Sequence, residues 1–403
     1  MSVTNHLLHS FGEAIAPETD YINIVRGEGS TIYDDTGKAY LDGMASLWYC
    51  QVGHGRREII DAISKQMESL VTYNTFAPFT NDPARELARL IAEKSPHPNG
   101  RVFLGCSGSE AVDTALKIAR LVQQRRGTPD KQIIIRRTHG YHGTNFGGTS
   151  AQGIEPNRSG FGDLVPHFLE VPNDDIEQMS LVFAEHGDNI AAVISEPVQG
   201  AGGVYPPADG YLEGVRRLCD QHNALLIFDE VICGFGRTGS WFGAQTFAVQ
   251  PDLMTFAKGV TSGYLPVSGV IVSEAIGEEL SEPGFMLRHG YTYSGHPTAA
   301  AAGVANINLI DELGLVERAN HIGKEVVKGF DALMADGVIK SYRGVGGVWA
   351  AEIGRDAVPM KQEMIDRGII IRGVGEAVLF CPPLVVTDDE IGRFIETLDD
   401  ALR

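Results

Sequence analysis

The sequence predicts an α/β protein: a large, doubly wound, mostly parallel sheet with a smaller α+β unit beside it. Three observations carry this. From about residue 100, short apolar runs alternate with amphipathic stretches of helical period, the rhythm of βαβ units. The 403 residues are enough for two cores. After Pro297 the composition shifts to an Ala-rich helical stretch and then to further short strands. These shifts divide the chain into a large unit over residues 50–295 and a small one assembled from 1–49 and 296–403.

In chain order, residues 31–42 read as two short strands about an Asp-Thr-Gly turn. Residues 57–70 place Ile59, Ile60, Ile63, Met67 and Leu70 on one helical face. Asn81-Asp82-Pro83 supplies an N-cap and an early proline for a helix through Ala92. Strands are expected at 102–104, 132–136, 191–196, 224–229 and 267–272, with helices at 109–124 and 211–222. In such a sheet, functional groups gather at the carboxyl ends of the strands. An Ala-rich helix runs from Pro297 towards Leu313. Strands near 339–343, 348–353, 369–372 and 378–380 and a closing helix from Asp388 complete the small unit.

Apolar residues make up 43% of the chain and charged residues 21%, ordinary values for a globular enzyme. A net charge of −19 argues against a nucleic-acid groove or an anionic membrane surface as partner. The five cysteines are scattered, with no Cys-x-x-Cys pair, which suits a reducing cytoplasm better than a disulfide framework or a zinc ribbon. No run approaches the roughly 18 to 20 apolar residues of a membrane span, and the early Glu13 with no apolar core before it speaks against a signal peptide. A cytoplasmic location is expected.

Chemistry concentrates in a few motifs. Asp229 closes the apolar run Leu226-Ile-Phe-Asp229, and Lys258 follows Thr255-Phe-Ala257 just before Gly259. One chemistry that needs such a pair is that of pyridoxal phosphate (PLP): the lysine holds the cofactor as a Schiff base and the acid keeps the pyridine nitrogen protonated. At about 4 Å and an effective dielectric of about 20, that charge pair is worth roughly 4 kcal/mol, or about three pKa units on the ring nitrogen. Alone, the two residues also read as a loop cap and a solvated surface lysine. Ser107-Gly108-Ser109 lies between a strand and a helix, where hydroxyls and helix-terminal amides can receive a phosphate. Outside that setting it is an ordinary capped turn. His139-Gly-Tyr141-His142-Gly presents an aromatic between glycines, suited to stacking on a flat ring, or else a turn with a core tyrosine. The two histidines lack an acidic or cysteine partner nearby, so no metal site is expected. Gly234-Phe-Gly-Arg-Thr-Gly239 matches the dinucleotide pattern in letters only: the next residues, Ser240-Trp-Phe-Gly243, make a poor helix start, and no acidic residue stands at the end of a second strand.

Together these motifs resemble the class III (subgroup II) PLP-dependent aminotransferases of fold type I, along essentially the whole chain from Asp42-Gly-Met-Ala-Ser-Leu-Trp48 to Cys381-Pro-Pro-Leu-Val385. Within that family the likeness is greatest to the ω-amine:pyruvate and β-alanine:pyruvate transaminases. The resemblance implies PLP as cofactor, Lys258 as the Schiff-base lysine and Asp229 as the partner of the pyridine nitrogen. It places Val231 against one ring face and Tyr141 on the other. It also implies that Ser107, Gly108 and Ser109 bind phosphate, and that His142 and Glu196 line the cofactor site. Thr292 would reach the phosphate of a neighbouring subunit and Tyr291 its substrate pocket, so an obligatory homodimer is implied, with pairing into tetramers left open.

Trp48 and Arg372 match the pocket tryptophan and the mobile arginine of the ω-transaminases. A guanidinium fork binds a keto-acid carboxylate bidentately and swings away for an apolar amine. A structural salt bridge for Arg372 and a plain core position for Trp48 stay open. Ile232 stands where ornithine and γ-aminobutyrate transaminases usually carry glutamine, which weakens those readings. The expected activity is ping-pong transfer of an amino group from a primary amine or ω-amino acid to pyruvate or a similar keto acid. A diaminopelargonate transaminase of biotin synthesis is the neighbouring alternative, and an aminomutase on the same fold a more distant one.

Overall fold

The computed structural model describes residues 6–12 and 21–403. The N-terminal strands β1 (Ile24–Glu28), β2 (Thr31–Asp34) and β3 (Ala39–Asp42) form an antiparallel meander. The central sheet then takes β4 (Arg101–Gly105), β5 (Ile133–Arg137), β6 (Phe168–Val171), β7 (Ile190–Ser195), β8 (Leu225–Asp229), β9 (Leu253–Phe256) and β10 (Ser268–Val272). Its order is β4-β10-β9-β8-β7-β5-β6, parallel from β9 to β6, with β10 antiparallel to both of its neighbours.

Two cores enclose this sheet. Leu225 and Ile227 face one, beneath the helix Gly108–Arg125, whereas Leu226 and Phe228 face the other. Every residue of β7 and β8 is buried, as parallel strands covered on both sides require. Asn81 caps the helix Asp82–Lys94 through the Ala84 amide, as its Asn-Asp-Pro start predicts. Besides β1 of the N-terminal sheet, two strands of this sheet lie outside the sequence reading, β6 and β9. Both have only four residues, too few to show a period.

A third sheet follows the helix Pro297–Glu312, in the order β11 (Ser341–Val345), β12 (Val348–Glu352), β15 (Ala377–Phe380), β14 (Arg372–Val374). The expected strand at 369–372 is split. Its first part, β13 (Ile369–Ile370), pairs in parallel with β3 of the N-terminal sheet, and only from Arg372 does the chain join β15. The helix Leu315–Ala335, absent from the sequence reading, is visible there as an i, i+3/i+4 series: Leu315, Ala319, Ile322, Val326, Phe330 and Leu333 are all buried. Among the described residues no single helix is long and apolar enough to cross a membrane.

Candidate active site

The carboxyl ends of the parallel strands converge on one cavity of about 140 Å³, whose walls include Gly108, Ser109, Tyr141, Glu196, Val231 and Lys258. Asp229 ends β8 at its floor, 3% exposed. Its Oδ2 accepts from His142 Nδ1 at 2.8 Å, and its Oδ1 accepts from Thr255 Oγ1 at 2.9 Å and the Val231 amide at 3.2 Å. Buried carboxylates need such donors, and these three fix the orientation of the group. His142 is thus spoken for by Asp229.

Glu196 follows β7. One carboxylate oxygen accepts from the Tyr141 amide and the other from the Gly200 amide, both at 2.9 Å, while Arg137 holds the Glu196 carbonyl at 2.8 Å. Burial pushes its carboxyl up to about 7, against the pull of His142 and the two amides. Lys258 follows β9 in a left-handed conformation, φ +47°, which a side chain with a Cβ rarely adopts. Burial lowers its affinity for a proton, and the Asp229 and Glu196 carboxylates draw it part of the way back.

At the helix end of the cavity, Ser107 caps the helix Gly108–Arg125 in a capping box with Glu110. The Glu110 carboxylate turns back onto the Cys106 and Ser107 amides at 2.7 and 3.2 Å. The Gly108 and Ser109 amides belong to the first turn, where an N–H has no intrahelical acceptor. A Cβ on Gly108 would lie 3.1 Å from Val231 Cγ1, and one on Gly143 2.6 Å from Ser109 Oγ, so both glycines keep this corner open. A cradle of small residues and helix-terminal amides, with a buried carboxylate at the far end and a lysine between, fits PLP in each of its parts.

A model of the family described as aminotransferase class-III matches residues 14–402. The chain belongs to the class-III aminotransferases. Among its relatives are a putrescine–pyruvate aminotransferase of Pseudomonas aeruginosa, 36% identical over 94% of this chain and 92% of that protein, and a β-alanine–pyruvate aminotransferase of the same organism, 37% identical over 94% and 91%. The solved structure of an amine transaminase from an uncultivated Pseudomonas species, in its PLP-bound form, superposes with a TM-score of 0.95 at 32% identity, covering 100% of this chain and 99% of that one. This class-III aminotransferase is a PLP-dependent enzyme on the fold type I scaffold.

The other residues singled out in the aminotransferase sequence are spread more widely. Trp48 lies behind the cavity wall, in the apolar cluster that contains Ile232 and against which Tyr141 packs. Arg372 is half-buried, close enough for its charge to act on Tyr141, and no ion pair holds it among the described residues. Tyr291 turns into its own chain, its hydroxyl donating to the Glu110 carbonyl at 3.1 Å, and Thr292 is exposed. Neither lines this cavity. Thr255 is the site residue that sequence reasoning misses. It stands opposite Asp229 only once β8 and β9 are in register. Gly234–Gly239 is a run of turns leading to a helix of four residues, and its Arg237 is buried against the Gly347 and Pro382 carbonyls rather than presented to a ligand.

Proposed function

We propose that this aminotransferase moves an amino group from a primary amine or ω-amino acid to pyruvate or a similar keto acid. The observation that carries this reading is Arg372: a guanidinium with no ion pair among the described residues, whose charge reaches Tyr141 in the wall of the cavity that holds Lys258 and Asp229. Bound PLP supplies an aldehyde carbon that takes up the amine and a ring that accepts the electron pair left when the substrate Cα loses its proton. Asp229, fixed by His142 and Thr255, holds a proton on the ring nitrogen. Val231 and Tyr141 would bound the ring, while Ser107, Gly108 and Ser109 would hold the phosphate. The Lys258 amine carries the proton between substrate Cα and cofactor carbon.

Arg372 grips the keto-acid carboxylate and withdraws for an apolar donor, and Trp48 bounds the pocket from behind. Thr292 and Tyr291 complete the site of a second copy, so the active unit is a homodimer. The exposure of Thr292, away from its own cavity, supports this. The division into residues 50–295 and a small unit of 1–49 with 296–403 belongs to the same proposal, supported by the pairing of β13 with β3.

The test is a half-reaction on PLP-loaded protein. Loss of the cofactor's long-wavelength absorbance with 1-phenylethylamine or β-alanine, and its return with pyruvate, is the expected result. Loss only with diaminopelargonate would move the enzyme to biotin synthesis, and no response to any amine would return the aminomutase reading. Arg372→Ala is expected to slow the pyruvate half-reaction by about a hundredfold, the value of a bidentate charged contact, and the arylalkyl-amine half-reaction by less than about threefold. Equal losses would make Arg372 structural.

A pH dependence follows from Lys258. Its folded pKa is depressed, so the neutral amine that attacks the cofactor aldehyde is present at lower pH than for an ordinary lysine near 10.5. Capture of PLP by the apoenzyme, followed by stopped flow, is expected to speed up with rising pH and reach half its maximum below 10.5. A midpoint at or above that value would contradict the buried placement.

A further inference from the structure

The turn that carries Lys258 is held from the far side by a residue of another element. Asn306 lies mid-way along the helix Pro297–Glu312, fully buried. Its Nδ2 donates to two successive carbonyls, Gly259 O at 2.8 Å and Val260 O at 3.0 Å. The two acceptors dictate the orientation of the amide, since only its nitrogen can donate to them. Its Oδ1 is left without a protein partner, a cost that an apolar residue would avoid. The opposite side of the turn is closed as well, because a Cβ on Gly259 would collide with the Gln51 side chain.

What this clamp restrains is unusual backbone. Lys258 has φ +47° and Ser262 φ +49°, and Ala257 before them has non-helical angles. Non-glycine residues persist in the left-handed region only where their surroundings over-determine them, and such residues cluster at functional sites. The two carbonyls that Asn306 grips are those of the residues immediately after Lys258.

We infer that Asn306 is a positioning residue for Lys258: its paired hydrogen bonds hold the strained turn so that the lysine amine points into the cofactor cavity. The inference rests on the proposed role of Lys258 and deepens it. The groups facing that amine are Asp229, Glu196, Cys381 and Cys233, and a change in the turn alters its distance from all four.

The test compares wild type with Asn306→Asp, which keeps the shape but turns an acceptor towards two carbonyls, and Asn306→Ser, which keeps a donor and adds no bulk. Borohydride reduction and peptide mass spectrometry first establish where the cofactor attaches in wild type. Attachment elsewhere than Lys258 would overturn the role of Lys258 and this inference with it. With Lys258 labelled, Asn306→Asp is expected to lower kcat by about tenfold or more, as misplacement of a reacting group does, with KM for the amine within about threefold. The pH midpoint of the bound-cofactor absorbance is expected to move by about half a unit or more. Asn306→Ser is expected to fall between Asp and wild type in both. A lowered melting temperature with wild-type kcat and wild-type midpoint in both variants would make Asn306 purely structural. Should Asn306→Asp fail to fold, the same two readouts on Asn306→Ser decide.

Discussion

Lys258→Ala is expected to end multiple turnover, a loss of at least about 10⁴-fold, while the protein folds and binds PLP without a covalent link. The residue is replaced in the wall of a preformed cavity whose other walls do not depend on its side chain: the capping box of Ser107, the glycines at 108 and 143, and the bonded Asp229 all remain. Small primary amines added to the solution should restore part of the rate, because the void left by the side chain admits them to the same position. The measurement is product formed per active site over many turnovers, with mass spectrometry to show that the cofactor is unattached. Sustained turnover by this variant at more than a trace rate would remove Lys258 from the reaction.

Asp229→Asn is the second large effect. An asparagine at the end of β8 can still accept from Thr255 and from the Val231 amide, so the local structure should survive. What is lost is the charge. A carboxylate about 4 Å from a ring cation, at an effective dielectric of about 20, is worth roughly 4 kcal/mol, which corresponds to a fall of roughly a thousandfold in a rate that depends on the protonated ring. Single-turnover loss of cofactor absorbance with one amine donor reads this directly, free of product release. A fall of less than about tenfold would mean that the ring nitrogen draws its proton from elsewhere, with His142 the first residue to examine.

Asp229 and Lys258 are legible in the sequence because Asp229 closes one apolar strand and Lys258 follows another just before Gly259, a pairing that the neighbouring motifs then single out. The turn at Ser107–Ser109 is legible for a similar reason: strand, Ser-Gly-Ser and amphipathic helix follow one another without interruption. Thr255 is not, because its partner across the sheet is decided by the register of β8 against β9, a relation between segments rather than within one. Asn306 escapes for another reason. In an Ala-rich helix a single asparagine reads as filler until the carbonyls it grips are seen. The helix Leu315–Ala335 does carry its signal, in a stretch between Leu313 and residue 339 to which the sequence reading assigns no element. Tyr291 and Thr292 belong to a different class: the roles proposed for them concern a second copy of the chain.

The strand that changes sheets at Arg372 has a consequence for the N-terminal region. Ile369 and Ile370 are zipped to Leu41 and Asp42, and the arginine lies just beyond that zip. The strand β3 is therefore the anchor of a tether whose free end is the guanidinium. In the role proposed for Arg372, its reach towards an acceptor is set by where that anchor is fastened. Shortening the protein past Asp42 would leave the central sheet and Lys258 in place yet cut the mooring of Arg372, so discrimination among acceptors should fail before the capacity to take an amino group from a donor does.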